Sequence, residues 1–339
     1  MKKKTACFLF ITVMLFAICE HSSIGLTSTL SASKGNAPED TWKMVYRSQG
    51  GAWGNIFFAN ENSGWAVGSS GQIIHSLDSG NTWSFQDSGT KSDLTCAYFI
   101  SDKKGWVAGS GNTILATDDG GISWAAQQPG GNSKQIFRSM YFTNERMGWI
   151  VDNLGGIIHT KDGGATWQPQ ASGFKWALTS VWFLNSTEGW AIGINQILLH
   201  TIDGGEHWTA QRADIDSPRS VLFNKIFFLD NQSGWITTNT FTSSQMGEDS
   251  PILHTQNGGK IWVTKCLIPD ICLSAIRFVD RKHGWLAGMK NIYYTSDGGS
   301  TWKAQLQSSG DPVVDIFFID DSHGWALTFT GNIYKYQIH

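Results

Sequence analysis

The sequence predicts an all-β fold, a seven-bladed β-propeller of four-stranded antiparallel blades, because one strand-rich unit recurs in series along its 339 residues. The first observation is a Gly-Trp pair that recurs seven times, at steps of 40 to 50 residues. The second is a phenylalanine seven residues before each of these tryptophans. The third is the octet S/T-x-D-x-G-x-x-W, which recurs six times, once with Asn for Asp. A period near forty with strand-like composition is typical of a propeller blade.

Each repeat contains the four strands of a blade in a fixed order. The first strand carries the phenylalanine and an apolar residue two positions before it, a period that indicates a buried strand. A polar turn leads to the Gly-Trp strand, and a Gly-containing turn leads to a third strand such as residues 72–75. The tryptophan that ends the octet opens the fourth strand. The seven Gly-Trp tryptophans are Trp65, Trp106, Trp149, Trp190, Trp235, Trp285 and Trp325.

The octet predicts a tight hairpin between the third and fourth strands. Its carboxylate and hydroxyl can bond backbone amides of the turn, and its glycine accepts a positive φ without strain. We therefore interpret the octet acids, and the asparagine that replaces one of them, as structural. They are Asp78, Asp119, Asp162, Asp203, Asn257 and Asp297.

The two ends of the chain supply complementary parts of one blade. Seven Gly-Trp strands but six octets leave the last blade without a fourth strand, and the sequence stops after its third. Thr41-Trp42 resembles the Thr-Trp that opens other fourth strands, so an N-terminal strand is expected to close the ring and cover a sheet edge. The expected propeller domain is 41–339, with blades at about 52–87, 93–128, 136–170, 176–211, 221–265, 272–306 and 311–339 plus 41–48.

The N-terminal 25 residues have the composition of a secretory signal peptide. Three lysines near the start precede an apolar run over residues 7–18 that is too short to span a bilayer. We expect export to the periplasm, thylakoid lumen or extracellular space, with residues 26–40 as a flexible segment. Lipoprotein anchoring through Cys19 is the less favoured alternative, because Ile18 stands where a small residue is expected. The net charge of −3 and the lack of a basic cluster argue against nucleic acid as a partner, and we expect a monomer.

The octet resembles the Asp-box, or BNR repeat, of sialidase-like propellers. Together with the Phe and Gly-Trp signatures, it resembles most closely the photosystem II stability and assembly factor family, over residues 41–339. The resemblance implies a non-enzymatic, exported scaffold without a cofactor, which binds protein such as nascent photosystem or other membrane-complex subunits. It also implies a basic, arginine-bearing binding surface. The candidates near the first strands are Arg138, Arg219, Lys225 and Arg277.

Three neighbouring irregular loops on one face of the predicted propeller indicate a binding surface. Residues 237–251 enlarge blade five, residues 211–222 are long and carry Arg212, and the next loop is bounded by two cysteines. Because function concentrates on loops held by a rigid scaffold, we expect a partner site here. Phe174 and Trp176, in a neighbouring loop of the same face, are candidate anchors. Tolerated insertion without function is the alternative.

The two cysteines, Cys266 and Cys272, are candidates for a disulfide in an oxidising compartment. Two reduced thiols are the alternative.

A carbohydrate-active or glycan-binding propeller is the alternative function. A glycosidase needs two carboxylates across one cleft. The loop acids that could converge are Asp214, Asp216, Asp270 and Asp311, although no Arg-Ile-Pro segment of the sialidase type occurs. Equivalent positions of different blades lie around a ring, so histidines that precede octets cannot converge on one metal ion. These are His75, His159, His200 and His254. We expect neither a metal site nor catalytic residues.

Overall fold

The structure is a computed structural model that describes residues 42–131, 133–215, 220–241, 249–270, 272–307 and 310–337. Its strands are β1 (Trp42–Tyr46), β2 (Trp53–Phe58), β3 (Gly64–Gly68), β4 (Ile73–Ser76), β5 (Ser84–Gln86), β6 (Leu94–Phe99), β7 (Gly105–Gly109), β8 (Ile114–Thr117), β9 (Ala125–Ala126), β10 (Phe137–Phe142), β11 (Gly148–Asp152), β12 (Ile157–Thr160), β13 (Gln168–Gln170) and β14 (Leu178–Phe183). They continue as β15 (Gly189–Gly193), β16 (Ile197–Thr201), β17 (Thr209–Ala210), β18 (Ser220–Phe228), β19 (Gly234–Phe241), β20 (Ser250–Thr255), β21 (Val263–Ile268), β22 (Leu273–Phe278), β23 (Gly284–Gly288), β24 (Asn291–Thr295), β25 (Lys303–Gln307), β26 (Val313–Phe318), β27 (Gly324–Thr328) and β28 (Ile333–Tyr336). One turn of 3₁₀ helix spans Ser69–Gly71. Across these ranges no helix is long and apolar enough to cross a membrane.

The strands form seven antiparallel sheets of four strands, which confirms the predicted seven-bladed all-β propeller. Blade one is β2-β3-β4-β5, and blades two to six repeat this order in sequence. First strands of neighbouring blades contact each other all the way round, including β26 of blade seven against β2 of blade one. The seven first strands therefore surround a central channel.

An N-terminal strand closes the ring, as predicted. In blade seven, β1 pairs antiparallel with β28, so that Trp42 lies opposite Tyr336. The indole Nε1 of Trp42 donates to Gln305 Oε1 at 3.2 Å, and its ring contacts Phe318 edge-on at 5.7 Å. The first described strand thus covers the edge that the last blade would otherwise expose.

The Phe and Gly-Trp signatures form the contacts between blades. Phe58 lies opposite Gly64 across the first hairpin, and a Cβ on that glycine would be 2.3 Å from the phenylalanine ring. The glycine therefore gives the ring room to lie flat on the sheet. Trp65 then stacks at 3.6 Å on Phe99 of the next blade and at 4.4 Å on His75 of its own blade. All seven Gly-Trp tryptophans are at most 2% exposed, so each contributes a large buried area to a seam between blades.

The octets form compact turns whose acids bond within their own turn. In blade three, Asp162 Oδ1 accepts bonds from the Thr160 hydroxyl and the Thr166 amide at 2.8 and 2.9 Å. The Thr166 hydroxyl donates to Oδ2 at 2.6 Å. These bonds hold the pKa of the Asp162 carboxyl down at about 2. An octet glycine also accepts a hydrogen bond from the preceding blade: Trp149 Nε1 in blade three donates to the carbonyl oxygen of Gly204 in blade four at 3.0 Å.

We expect the free energy of unfolding to fall as the pH is lowered from about 6.5 to 4. Burial lowers the pKa of His75, His159 and His254 from 6.5 to about 4. The unfolded chain takes up these protons first, so the stabilisation is complete above pH 6.5 and is lost as the pH falls through 4. Urea unfolding at pH 7.5, 5.5 and 4.5 measures it. The control is His159→Ala, since Ala116 holds the same position in blade two. An equal pH dependence in this variant would contradict the assignment.

Candidate protein-binding face

The two ends of the propeller carry different features. In an antiparallel blade, the first-to-second and third-to-fourth turns lie at one end, and the octets therefore lie there. We call this end the octet face. The second-to-third turns and the loops between blades lie at the other end, which we call the loop face.

A shallow groove of about 470 Å³ lies on the loop face beside blade three. Leu154, from the second-to-third turn of that blade, and Phe174 and Lys175, from the loop to blade four, contribute to its lining. Leu154 is 45% exposed, Phe174 36% and the adjacent Trp176 42%. We call these four residues the shelf. Exposed aromatic side chains beside a cation are typical of protein-binding surfaces.

Hydrogen bonds hold the shelf in place. The Ser172 hydroxyl donates to the carbonyl oxygen of Gly155 at 2.5 Å and accepts from the Phe174 amide at 3.2 Å. Gly155 has a φ of +86°, and a Cβ there would lie 2.7 Å from the Phe174 carbonyl oxygen, so the two loops touch through backbone. Asp152, 1% exposed, accepts from the amides of Leu154 and Gly156 at 2.7 and 2.8 Å. The shelf is therefore ordered before any partner binds, which lowers the entropy cost of binding.

A ring of seven side chains, one from each first strand, surrounds the channel. Neighbouring aromatic centroids lie 4.8 to 5.3 Å apart. Arg277 fills the seventh position, with its guanidinium 5.5 Å from the Phe227 ring and 4.9 Å from the Phe317 ring. It closes the ring by cation–π contacts on both sides. The members in order are Phe57, Tyr98, Tyr141, Trp182, Phe227, Arg277 and Phe317.

The channel has a positive charge. The seven first strands carry three cations, Arg138, Lys225 and Arg277, and one acid, Asp315. Burial raises the pKa of the Cys96 thiol to about 12, while the nearby charges of Lys225 and Arg138 act to lower it. Burial also lowers the pKa of both arginines, and Asp315 opposes that effect at Arg277. An acidic group from a partner would find an attractive potential here.

The structure divides the candidate partner-binding residues between two places. Phe174, Trp176 and Arg212 lie in the loops between blades, with Arg212 exposed. Three candidates, Arg138, Lys225 and Arg277, lie on first strands around the channel. The remaining candidate, Arg219, lies outside the described residues. The sequence interpretation missed Leu154 and Lys175; an apolar residue within a Gly-rich turn was the available signal for Leu154.

The enlarged loops of blade five are partly built into strands. β18 and β19 are longer than their counterparts and pair as far as Ser220 and Phe241. The Thr238 and Thr240 hydroxyls donate to carbonyl oxygens across the blade at 2.6 and 2.8 Å. The Asn239 side chain accepts from the Leu273 amide of blade six at 2.9 Å. Residues 237–241 and 250–251 therefore extend the sheet.

The disulfide between Cys266 and Cys272 that the sequence analysis considers stays a prediction. Cys266 lies on β21, where burial raises the pKa of its thiol to about 11. Cys272 directly precedes β22 and forms an isolated bridge with Asn239. A thiol with a raised pKa reacts slowly.

The loop acids mostly serve as caps of turns. Asp270 is fully buried and accepts from the amides of Met289 and Lys290 at 3.2 and 3.1 Å. Burial raises the pKa of the Asp270 carboxyl despite these bonds. Asp311 accepts from the Thr330 amide and hydroxyl at 3.0 and 2.6 Å.

Two further acids complete the set considered for glycan chemistry. The backbone of Asp214 bonds to that of Trp262 and Thr264, beside β21. Asp216 lies outside the described residues. Among the residues that the structure describes, no cluster of three or more His, Cys, Asp or Glu could hold a metal ion.

Fold and face together define a closed, repeat-built propeller scaffold with an ordered apolar shelf and a cationic channel. The chain belongs to the family of the photosynthesis system II assembly factor YCF48, whose family model matches residues 87–172 and 171–272. No curated protein matches the sequence.

Solved structures share the fold at low sequence identity. A structure described as YCF48 bound to D1 peptide has a TM-score of 0.73 and 18% identity, covering 89% of this chain and 99% of its own. YCF48 from Cyanidioschyzon merolae has a TM-score of 0.68 and 21% identity, with 88% and 99% covered. The GH74 enzyme of Niastella koreensis has a TM-score of 0.68 and 12% identity; the match covers 87% of this chain but 53% of the enzyme. At these identities the likeness shows the fold.

Proposed function

We propose that the protein is an exported, non-enzymatic scaffold that binds an extended segment of a photosystem or other membrane-complex subunit during assembly. The observation that carries the proposal is the shelf, because Leu154, Phe174 and Trp176 expose apolar area on loops already fixed by hydrogen bonds. The family match supports the class of partner, and a structure of this fold is described as YCF48 bound to D1 peptide.

The channel supplies the second part of the proposed interaction. Lys225 and Arg277 lie on first strands, with Asp315 as the acid among those strands. Acidic side chains or a carboxyl terminus of the partner would be drawn toward this charge, so binding should weaken as salt is added. The shelf would then contribute most of the affinity, and the channel would orient the bound segment.

We expect the double variant Phe174→Ala/Trp176→Ala to weaken binding of a D1 peptide by roughly 30- to 1000-fold, since two aromatic anchors at about 1–2 kcal/mol each contribute about 2–4 kcal/mol. Fluorescence anisotropy of labelled peptides measures the dissociation constant. Phe85→Ala is the matched control, because Phe85 is 66% exposed on an outer strand away from the loop face. Wild-type affinity in the double variant would refute this placement of the site, and binding of no photosystem peptide at all would refute the choice of partner.

Export rests on residues 1–25, and mass spectrometry of the native protein tests it. We expect a mature N-terminus near residue 26, in an envelope, lumenal or extracellular fraction. A full-length protein in the cytosol would contradict export but leave the binding proposal intact.

The alternative, a glycan-active propeller, has little support from the loop acids. Asp270 and Asp311 are engaged by backbone amides rather than paired across a cleft. We therefore propose that the protein does not hydrolyse glycans. Turnover of xyloglucan or a sialoside that Asp270→Asn abolishes would overturn this statement.

A further inference from the structure

A cavity of about 330 Å³ opens on the octet face, at the seam between blades five and six. Trp235, His254 and Lys265 line it from blade five, and Arg281 and Gly298 from blade six. It lies on the opposite face from the shelf, so the proposed peptide site does not account for it. Its volume exceeds the ~30 Å³ share of one water molecule about tenfold.

Hydrogen bonds fill the same place at other seams. Between blades three and four, Trp149 Nε1 and Gln170 Nε2 both donate to the carbonyl oxygen of Gly204, at 3.0 and 2.9 Å. The seams between blades one and two and between blades two and three repeat both bonds. At these three seams, a glutamine three residues after the octet tryptophan supplies the second bond.

Blade five has Lys265 where these blades have the glutamine. Lysine has no side-chain amide to donate to the Gly298 carbonyl oxygen as the glutamines do elsewhere. The cavity lies at this position. Trp235 is 2% exposed, yet its indole Nε1 has no hydrogen-bond partner. A buried donor without an acceptor is costly, so a ligand that supplies an acceptor is favoured.

Two cations, Lys265 and Arg281, line the cavity. Within the described part of the chain, Lys265 forms no ion pair, and Arg281 reaches Asp230 through Nε and Nη2 at 3.2 and 3.0 Å. Asp297 also borders the cavity, but its oxygens accept from Thr295, Ser300 and Thr301 in its own turn. Burial, with a contribution from the charge of Lys265, lowers the pKa of His254 to about 4, so that ring is neutral near pH 7.

We propose that this cavity binds a carboxylate group, with the Trp235 indole, the Lys265 ammonium and the Arg281 guanidinium as donors. A carboxylate has two acceptor oxygens with about four acceptor sites, which suits one neutral and two charged donors. The group comes either from a free small carboxylic acid or from an Asp or Glu side chain of a bound protein. In both cases the group occupies the cavity beside Lys265 and Arg281.

The test follows the Trp235 indole proton by NMR of the ¹⁵N-labelled protein, with Trp235→Phe identifying its signal. Titration with sodium succinate, and separately with N-acetyl-glutamate amide, is expected to shift that signal saturably. Lys265→Gln should lower the affinity at least about tenfold, because it replaces a charged donor with a neutral one. Lys303→Gln, an exposed substitution on β25, is the control and should leave binding unchanged.

The outcomes separate the two sources of the group. Saturation by succinate and by the glutamate derivative identifies a small-acid site, whereas saturation by the glutamate derivative alone identifies a side chain of a partner. No shift with either probe, or an equal shift with sodium chloride, overturns the proposal. Should Lys265→Gln fail to fold, Arg281→Gln tests the same site, because Arg281 is largely exposed and its loss leaves the seam packing intact.

Discussion

Deletion of residues 40–48 is expected to destabilise the whole propeller and to cause aggregation. The deletion removes β1, which pairs with β28 and carries the buried Trp42. Losing a buried tryptophan alone costs about 3–5 kcal/mol, and the strand's ladder bonds add to this. The total approaches the 5–15 kcal/mol by which domains are typically stable. Differential scanning calorimetry and light scattering measure the effect.

Two further variants make this test specific. Deletion of residues 26–39, which precede the strand, should leave the melting temperature unchanged. Trp42→Ala should fall between the two, because it removes the ring contacts with Phe318 and Tyr336 but keeps the backbone pairing. A melting temperature unaffected by removal of residues 40–48 would contradict closure by the N-terminal strand.

The second large effect is expected from Trp149→Ala, with a loss of about 3–5 kcal/mol in the free energy of unfolding. Trp149 is fully buried, stacks at 3.6 Å on Phe183 and at 4.5 Å on His159, and donates to the Gly204 carbonyl. Its removal opens a cavity at a seam between two blades that the fold cannot close by local collapse. Urea unfolding monitored by far-UV circular dichroism gives the value.

A matched pair of substitutions separates packing from hydrogen bonding at this position. Trp149→Phe keeps a ring but loses the bond to Gly204, whereas Trp285→Phe loses no such bond, since Trp285 Nε1 has no partner. Trp149→Phe should therefore cost about 1 kcal/mol more than Trp285→Phe. Equal costs would show that the seam bond contributes nothing to stability.

The repeat made the fold predictable from the sequence, because each signature residue has one physical role in every blade. The glycine of each Gly-Trp pair accommodates a phenylalanine ring, and the tryptophan fills the seam, so counting these pairs counts blades. The unpaired strand was equally legible, since Thr-Trp occurs without a preceding octet near the N-terminus. The pairing of this N-terminal strand with the last strand of blade seven then followed, because it covers an otherwise exposed sheet edge.

The binding features were less predictable, because they depend on how neighbouring blades meet. Arg277 was a candidate by charge, but its position in a ring of aromatic side chains required the register of β22. Lys265 was legible as a departure from glutamine, yet the cavity that it leaves appears only when the seam is seen in three dimensions. The proximity of Leu154 to Phe174 was not predictable either, because it depends on a backbone contact at Gly155 between two loops.

Closure by β1 also sets the order in which the protein can mature during synthesis. The bond between Trp42 and Gln305 joins residues 263 positions apart, and the partner strand β28 follows the other described strands in the chain. During synthesis β1 therefore stays unpaired until β28 has been translated, and contacts of such long range form slowly. A truncated chain that lacks β28 would leave the last sheet incomplete and expose a strand edge, which favours aggregation.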